Sequence, residues 1–69
     1  MQKSKDIRKL FICNKATIFE AIDQINKNKE KIALIVENND VLMGTITDGD
    51  IRRAILGRKD LKTPAKDIM

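Results

Sequence analysis

Residues 44–55 read Gly44-Thr45-Ile46-Thr47-Asp48-Gly49-Asp50-Ile51-Arg52-Arg53-Ala54-Ile55. An apolar run, residues 41–46, leads into this stretch and a helical pattern leads out of it. The pattern predicts a strand that turns directly into a helix. At the junction stand the Thr47 hydroxyl, the carboxylates of Asp48 and Asp50, Gly49 and, one turn on, Arg52 and Arg53. The start of a helix displays unpaired backbone N–H groups and the positive end of the helix dipole. The junction is therefore a natural seat for a phosphate.

The chain around it has 69 residues, enough for one small domain with a limited core. A hydrophobic fraction of 42% suits a folded chain rather than a disordered one. Phe11 and Phe19 are its only aromatics, so the core must be aliphatic. Lys and Arg total 14 against 10 Asp and Glu, a net charge of +4. That excess favours anionic partners. The lysines are scattered, however, and aromatics for base stacking are nearly absent, which argues against a nucleic-acid surface. Cys13 is the single cysteine and histidine is absent. An internal disulfide, a Cys–His nucleophile and a histidine metal site are thereby excluded within these residues. A reducing, cytoplasmic setting is expected. The longest apolar run, residues 32–36, is far too short for a membrane span, and no apolar signal region follows Met1.

Moving outward from the junction, residues 32–37 form a predicted strand, buried on both faces to judge from five consecutive apolar residues. Asn38-Asn39-Asp40 is a turn cluster, and residues 41–47 return as the second arm of a hairpin. Gly44 interrupts that arm, which marks either a bulge or a close approach by another part of the chain. Residues 48–56 are a helix, with Ile51, Ala54 and Ile55 on one face and Gly57 as its left-handed stop. Upstream, residues 17–28 form the clearest helix. Ile18, Ala21, Ile22 and Ile25 make one apolar stripe, and Thr17 with Glu20 makes a capping box. Phe11-Ile12-Cys13 is a short strand, Asn14-Lys15-Ala16 a turn, and residues 4–10 a lead-in helix capped by Ser4. The predicted order is strand, helix, strand, strand, helix, with both helices on one face of a small sheet. The outer faces of Ile18, Phe19, Ile51 and Ile55 are then available to a second module.

This order, together with Gly44, Thr45-Ile46, Thr47, Asp48-Gly49, Asp50 and Ile51, resembles the CBS domain, the module named after cystathionine β-synthase. Its signature is a glycine, two apolar residues, Thr or Ser, two variable residues, Asp and an apolar residue. Thr45 departs from it, since an aliphatic residue is usual there. Ala16-Thr17-Ile18 with Glu20-Ala21 is similar to the start of the family's first helix, and residues 33–37 to its central strand. The resemblance implies an α+β fold: a single CBS domain with a three-stranded sheet and two helices (β-α-β-β-α) over residues 12–60. Residues 1–11 form a lead-in. Residues 61–69 would be a linker ending in Asp67-Ile68-Met69, which is similar to the opening of a second CBS domain. The Thr-Asp-Gly-Asp-Ile-Arg-Arg-Ala form close behind Met1 also resembles the N-terminal regulatory region of bacterial sugar-phosphate nucleotidyltransferases. Sugar-phosphate isomerases carry a similar form near their C-terminus.

For the site, the resemblance implies that Thr47 and Asp50 meet phosphate and ribose. It also implies that Ile12 and Cys13 line an adenine slot, with backbone groups of Ile32 and Ala33 on its other side. Read from the residues alone, Thr47 and Asp50 are equally a capping box, as at Thr17 and Glu20. Gly49 either admits close backbone approach or merely tolerates the turn. Asp48 would repel an adjacent phosphate. Arg53 can lie near Asp50 and offer a fork to a phosphate, and Lys31 can approach one. No catalytic set and no metal-ligand set is present. The expected function is regulatory binding of an adenine nucleotide (AMP, ADP or ATP) by a domain paired with a second CBS domain, as a homodimer or tandem copy, and attached to a catalytic domain. The alternative is a structural dimerisation module that binds no ligand.

Overall fold

Isoleucine spacing builds the core of the computed structural model, which describes residues 7–69. Helix α1, Ile18–Lys27, turns Ile18, Ala21 and Ile25 inward. Helix α2, Asp48–Leu56, turns Ile51 and Ala54 inward. Both stripes meet Ala33 and Ile35 of strand β2, Ile32–Glu37, and Ile46 of strand β3, Val41–Thr47, in one cluster. A single cluster shared by both helices means that they cover the same face of the sheet, as expected. Ile18, Ile35 and Ile46 are fully buried. Burying such a side chain contributes about 1.5–3 kcal/mol relative to exposure, so three of them dominate the stability of so small a core.

The sheet has three strands in the order β1-β2-β3, with β1 being Phe11–Cys13. Strand β1 runs parallel to β2, pairing Phe11 with Leu34, Ile12 with Ile35 and Cys13 with Val36. Helix α1 is the crossover between them, which a parallel pair requires. Strand β3 runs antiparallel to β2, pairing Ile32 with Thr47 and Ala33 with Ile46. The hairpin turn is Asn38–Asp40, where Asn39 and Asp40 take φ values of 64° and 59°. Asn and Asp tolerate this left-handed geometry better than other non-glycine residues. The alternating burial of β2 shows Ala33, Ile35 and Val36 buried but Leu34 only half-buried, so burial on the face away from the helices is partial.

Gly44 fulfils both readings of a glycine in a strand. The ladder slips here: Ile35 pairs with Gly44 and Val36 with Leu42, leaving Met43 as the extra residue of a bulge. The side chain of Met69 also lies against the Gly44 backbone.

Three expectations change. Gly57 is not the left-handed stop of α2: no glycine has positive φ, and Arg58 has a φ of 61°. The Lys59 N–H donates to the Ala54 carbonyl and the Arg58 N–H to the Ile55 carbonyl, the paired bonds of a Schellman ending with Arg58 at its left-handed position. The helix ends at Leu56 as expected, and the left-handed residue stands one position after the glycine. Ile18 and Ile51 offer no outer face, because they are buried in the core, whereas Phe19 and Ile55 are exposed together with Leu56 and Leu61. Finally, the lead-in is a short 3-10 helix, Ile7–Leu10, and its predicted cap Ser4 lies outside the described residues.

The last residues lie on the domain instead of trailing away from it. Ala65 is buried in the core cluster and Ile68 packs against it. The Ala65 N–H donates to the Ala16 carbonyl at 2.8 Å, and Thr17 bridges to Pro64.

Candidate functional site

The two helices begin in the same way locally. At α1, the Glu20 N–H donates to the Thr17 hydroxyl oxygen (3.2 Å), and the Thr17 N–H donates to the Glu20 carboxylate (2.8 Å). At α2, the Asp50 N–H donates to the Thr47 hydroxyl oxygen (3.3 Å), and the Thr47 N–H donates to the Asp50 carboxylate (2.8 Å). Both are complete capping boxes. A cap box leaves the first two N–H groups of the helix unanswered, and here the two sites part. At α1 the Ile18 N–H donates to the Thr63 carbonyl at 2.9 Å and the Phe19 N–H to the Leu61 carbonyl at 3.0 Å. That helix start is closed. At α2 the N–H groups of Asp48 and Gly49 have no acceptor among the described residues. The junction singled out by the sequence is thus the helix start that keeps its positive end open.

Charge around this opening is arranged in pairs. Arg52 Nη2 donates to the Asp48 carboxylate at 3.4 Å, and Arg53 Nη2 donates to Asp50 Oδ1. Both arginines are largely exposed, while the Asp50 side chain is only 22% exposed. Asp50 Oδ2 accepts from the Thr47 N–H and the Thr47 hydroxyl, so both carboxylate oxygens are engaged. The Thr47 backbone bond, above all, lowers the Asp50 pKa below the ordinary carboxylate value; partial burial opposes this, and the Thr47 hydroxyl and Arg53 reinforce it. Asp50 is therefore ionised at neutral pH. With Asp48 drawn to Arg52, its repulsion of an incoming phosphate is partly neutralised. The i,i+4 spacing of Asp48 and Arg52 signals that pair, although the sequence reading left it out.

Gly49 sits in the first turn with a negative φ, and a β-carbon there would find Arg53 Nη1 at 3.5 Å and Thr47 Oγ1 at 3.6 Å. The turn does not require glycine. Its effect is to leave the backbone bare beside the open N–H groups.

The ladder register decides which other predicted residues come to this end of the sheet. Ile32 is paired with Thr47 and Ala33 with Ile46, which puts the start of β2 beside the site. Lys31, exposed and immediately before Ile32, lies at the same end. Ile12 and Cys13 pair with Ile35 and Val36 instead. Three residues along a strand span about 10 Å, so these two stand toward the other end of β2, on the far edge of the sheet. Ile12 packs toward the core, and Cys13 is exposed. Both line a shallow depression of about 330 Å³ with Lys15, Ala16 and Glu20, at the start of α1. The structure brings Thr47, Asp48, Gly49, Asp50, Arg53, Ile32 and Ala33 together and does not bring Ile12 and Cys13 to them.

A helix start flanked by a sheet end is shared by many folds, and comparison narrows it. The CBS domain family model matches residues 4–57, and the chain belongs to that family. A CBS domain protein from Pyrobaculum aerophilum complexed with AMP is 28% identical, with a TM-score of 0.78 over 86% of this chain and 47% of its own. OpuCA of Staphylococcus aureus is 25% identical, with a TM-score of 0.70 over 87% of this chain and 48% of its own. The chain thus spans about half the length of these solved relatives. Curated protein sequences give no match. CBS domains are regulatory modules rather than catalytic ones. Among the described residues no helix is long and apolar enough to cross a membrane.

Proposed function

We propose that this domain is a regulatory module that binds an adenine nucleotide at the α2 start and pairs with a second CBS domain to bias an attached enzyme. The observation that carries the reading is the open first turn of α2, with Asp48 and Gly49 N–H groups free beside an ionised Asp50, in a chain whose solved relative is complexed with AMP. Phosphate meets the open N–H groups and the Thr47 hydroxyl. Asp50 accepts from ribose hydroxyls, and the start of β2 at Ile32 and Ala33 flanks the base. The nucleotide acts by population shift, favouring one arrangement of the paired domains.

Pairing is supported by apolar side chains left bare on the two helices. Phe19, Ile55 and Leu56 are 60%, 53% and 76% exposed. Leu61, whose carbonyl accepts from the Phe19 N–H, is exposed as well. The relatives' extra half-length is the room a tandem copy would occupy. On sequence resemblance, the enzyme attached is a sugar-phosphate nucleotidyltransferase.

Titration calorimetry with AMP, ADP, ATP and GTP on the folded, paired protein tests the reading. Saturable heat with the adenine nucleotides supports it, and absence of heat at millimolar nucleotide would leave the structural dimerisation module as the function.

A further inference from the structure

We propose that Arg53 is the residue by which this site selects phosphorylated nucleotides over the bare nucleoside. The proposal rests on the nucleotide reading above and goes beyond it. Asp50 Oδ2 is held by Thr47, and Asp50 Oδ1 is held by Arg53. Oδ2 thus accepts two bonds and Oδ1 one, which leaves one open acceptor position where a ribose diol needs two. The same guanidinium lies against Gly49, where its Nη1 is 3.5 Å from the position of an absent β-carbon. Gly49 carries one of the two open N–H groups. Arg53 therefore stands beside both halves of the site at once, the ribose acceptor and the phosphate seat.

Thr47 cannot release Asp50 without opening the helix cap, since it gives the carboxylate both a backbone and a hydroxyl bond. Arg53 can, because its side chain is 73% exposed. A ribose that sets both of its hydroxyls on Asp50 must displace the guanidinium from Oδ1. A nucleotide offers it a replacement, because the phosphate arrives beside Gly49, within the reach of the same side chain, and accepts its fork. A nucleoside offers none and leaves the displaced charge with water. Arg53 is thus a counter-ion that opposes the nucleoside and exchanges onto the nucleotide. Arg52 does not share this role, since its partner is Asp48 at 3.4 Å.

The test is calorimetry of the wild-type chain, Arg53→Ala and Arg53→Gln with AMP and with adenosine, each variant first shown by melting to be folded. Wild type is expected to favour AMP. In Arg53→Ala the AMP-to-adenosine affinity ratio is expected to fall about ten-fold, the scale of one charge-assisted hydrogen bond, with adenosine binding unchanged or tighter. Arg53→Gln is expected to behave like Arg53→Ala, because it lacks the charge. An unchanged ratio, or equal weakening of both ligands, would overturn the role of Arg53 while leaving the nucleotide reading intact. Failure of wild type to bind either ligand would overturn both.

Discussion

The Thr63 carbonyl accepts the backbone N–H of Ile18 at 2.9 Å, so a residue near the end of the chain closes the first helix. Leu61 does the same for Phe19. The corresponding positions at the second helix, Asp48 and Gly49, have no such neighbour among the described residues, and this difference separates a closed helix start from an open one.

Asp50→Ala removes the reciprocal half of a cap and the acceptor proposed for ribose. We expect a loss of about 1 kcal/mol in unfolding free energy. Under the proposed function, stabilisation by AMP also disappears, an effect of about 2.7 kcal/mol in wild type at a hundred-fold excess over Kd. Chemical denaturation with and without AMP measures both. Glu20→Ala is the control: the same order of stability loss with the AMP response retained.

The pH dependence of the same pair has a defined sign. Asp50 is held below its ordinary value in the folded chain, chiefly by the Thr47 backbone bond. Its stabilising contribution is complete above the unfolded value of about 3.9 and is lost as pH falls from there through the lower folded value. The difference in denaturation midpoint between wild type and Asp50→Ala should be constant at neutral pH and shrink below about pH 4. A difference that grows on acidification would contradict this.

Gly49→Ala should stabilise the free domain. The φ is negative and the nearest atoms to the new carbon are at ordinary contact distance, 3.5 Å. Alanine gains up to about 1 kcal/mol over glycine within a helix, less in a first turn. The added methyl stands beside the open N–H groups and should weaken AMP binding. A higher melting temperature with a higher Kd is the expected combination.

Arg58→Gly should also stabilise. Arg58 occupies the left-handed position of the Schellman ending, where a side chain costs about 1–2 kcal/mol and glycine costs little. For a domain of this size, 1 kcal/mol corresponds to a rise of about 4–8 °C in melting temperature. Gly57→Ala, with its β-carbon 3.3 Å from the Arg53 carbonyl oxygen, should not reproduce that gain.

Ile46→Ala, in the centre of the core, should cost about 2–5 kcal/mol. A small domain has roughly 5 kcal/mol to lose, so most of its stability should go. A steep fall in melting temperature is the readout.

Legibility followed the range of the interactions. The two capping boxes, the apolar stripes of Ile18, Ala21 and Ile25 and of Ile51 and Ala54, and the hairpin turn at Asn38–Asp40 are set by residues three or four apart. Spacing alone exposes them. Gly44 could be marked as special from its place in a strand, but only the folded chain shows both the slipped ladder and Met69 against it. The end of α2 at Leu56 is legible, but its left-handed residue is not: glycine at 57 satisfies the sequence rule, while the bonds of Arg58 and Lys59 put that residue after it.

The sequence by itself determined the elements, their order and the identity of the Thr47 to Arg53 junction, since each depends on neighbours along the chain. Tertiary structure decided the rest. It buried Ile18 and Ile51 and left Phe19 and Ile55 bare, because the direction in which each helix packs depends on the sheet beneath it. The strand register set Ile32 and Ala33 beside Thr47 and Ile46, and Ile12 and Cys13 beside Ile35 and Val36. It also closed one of two helix starts that share a capping box, with carbonyls from more than forty residues away, and left the other open; the box itself does not distinguish Thr17 from Thr47 in that respect.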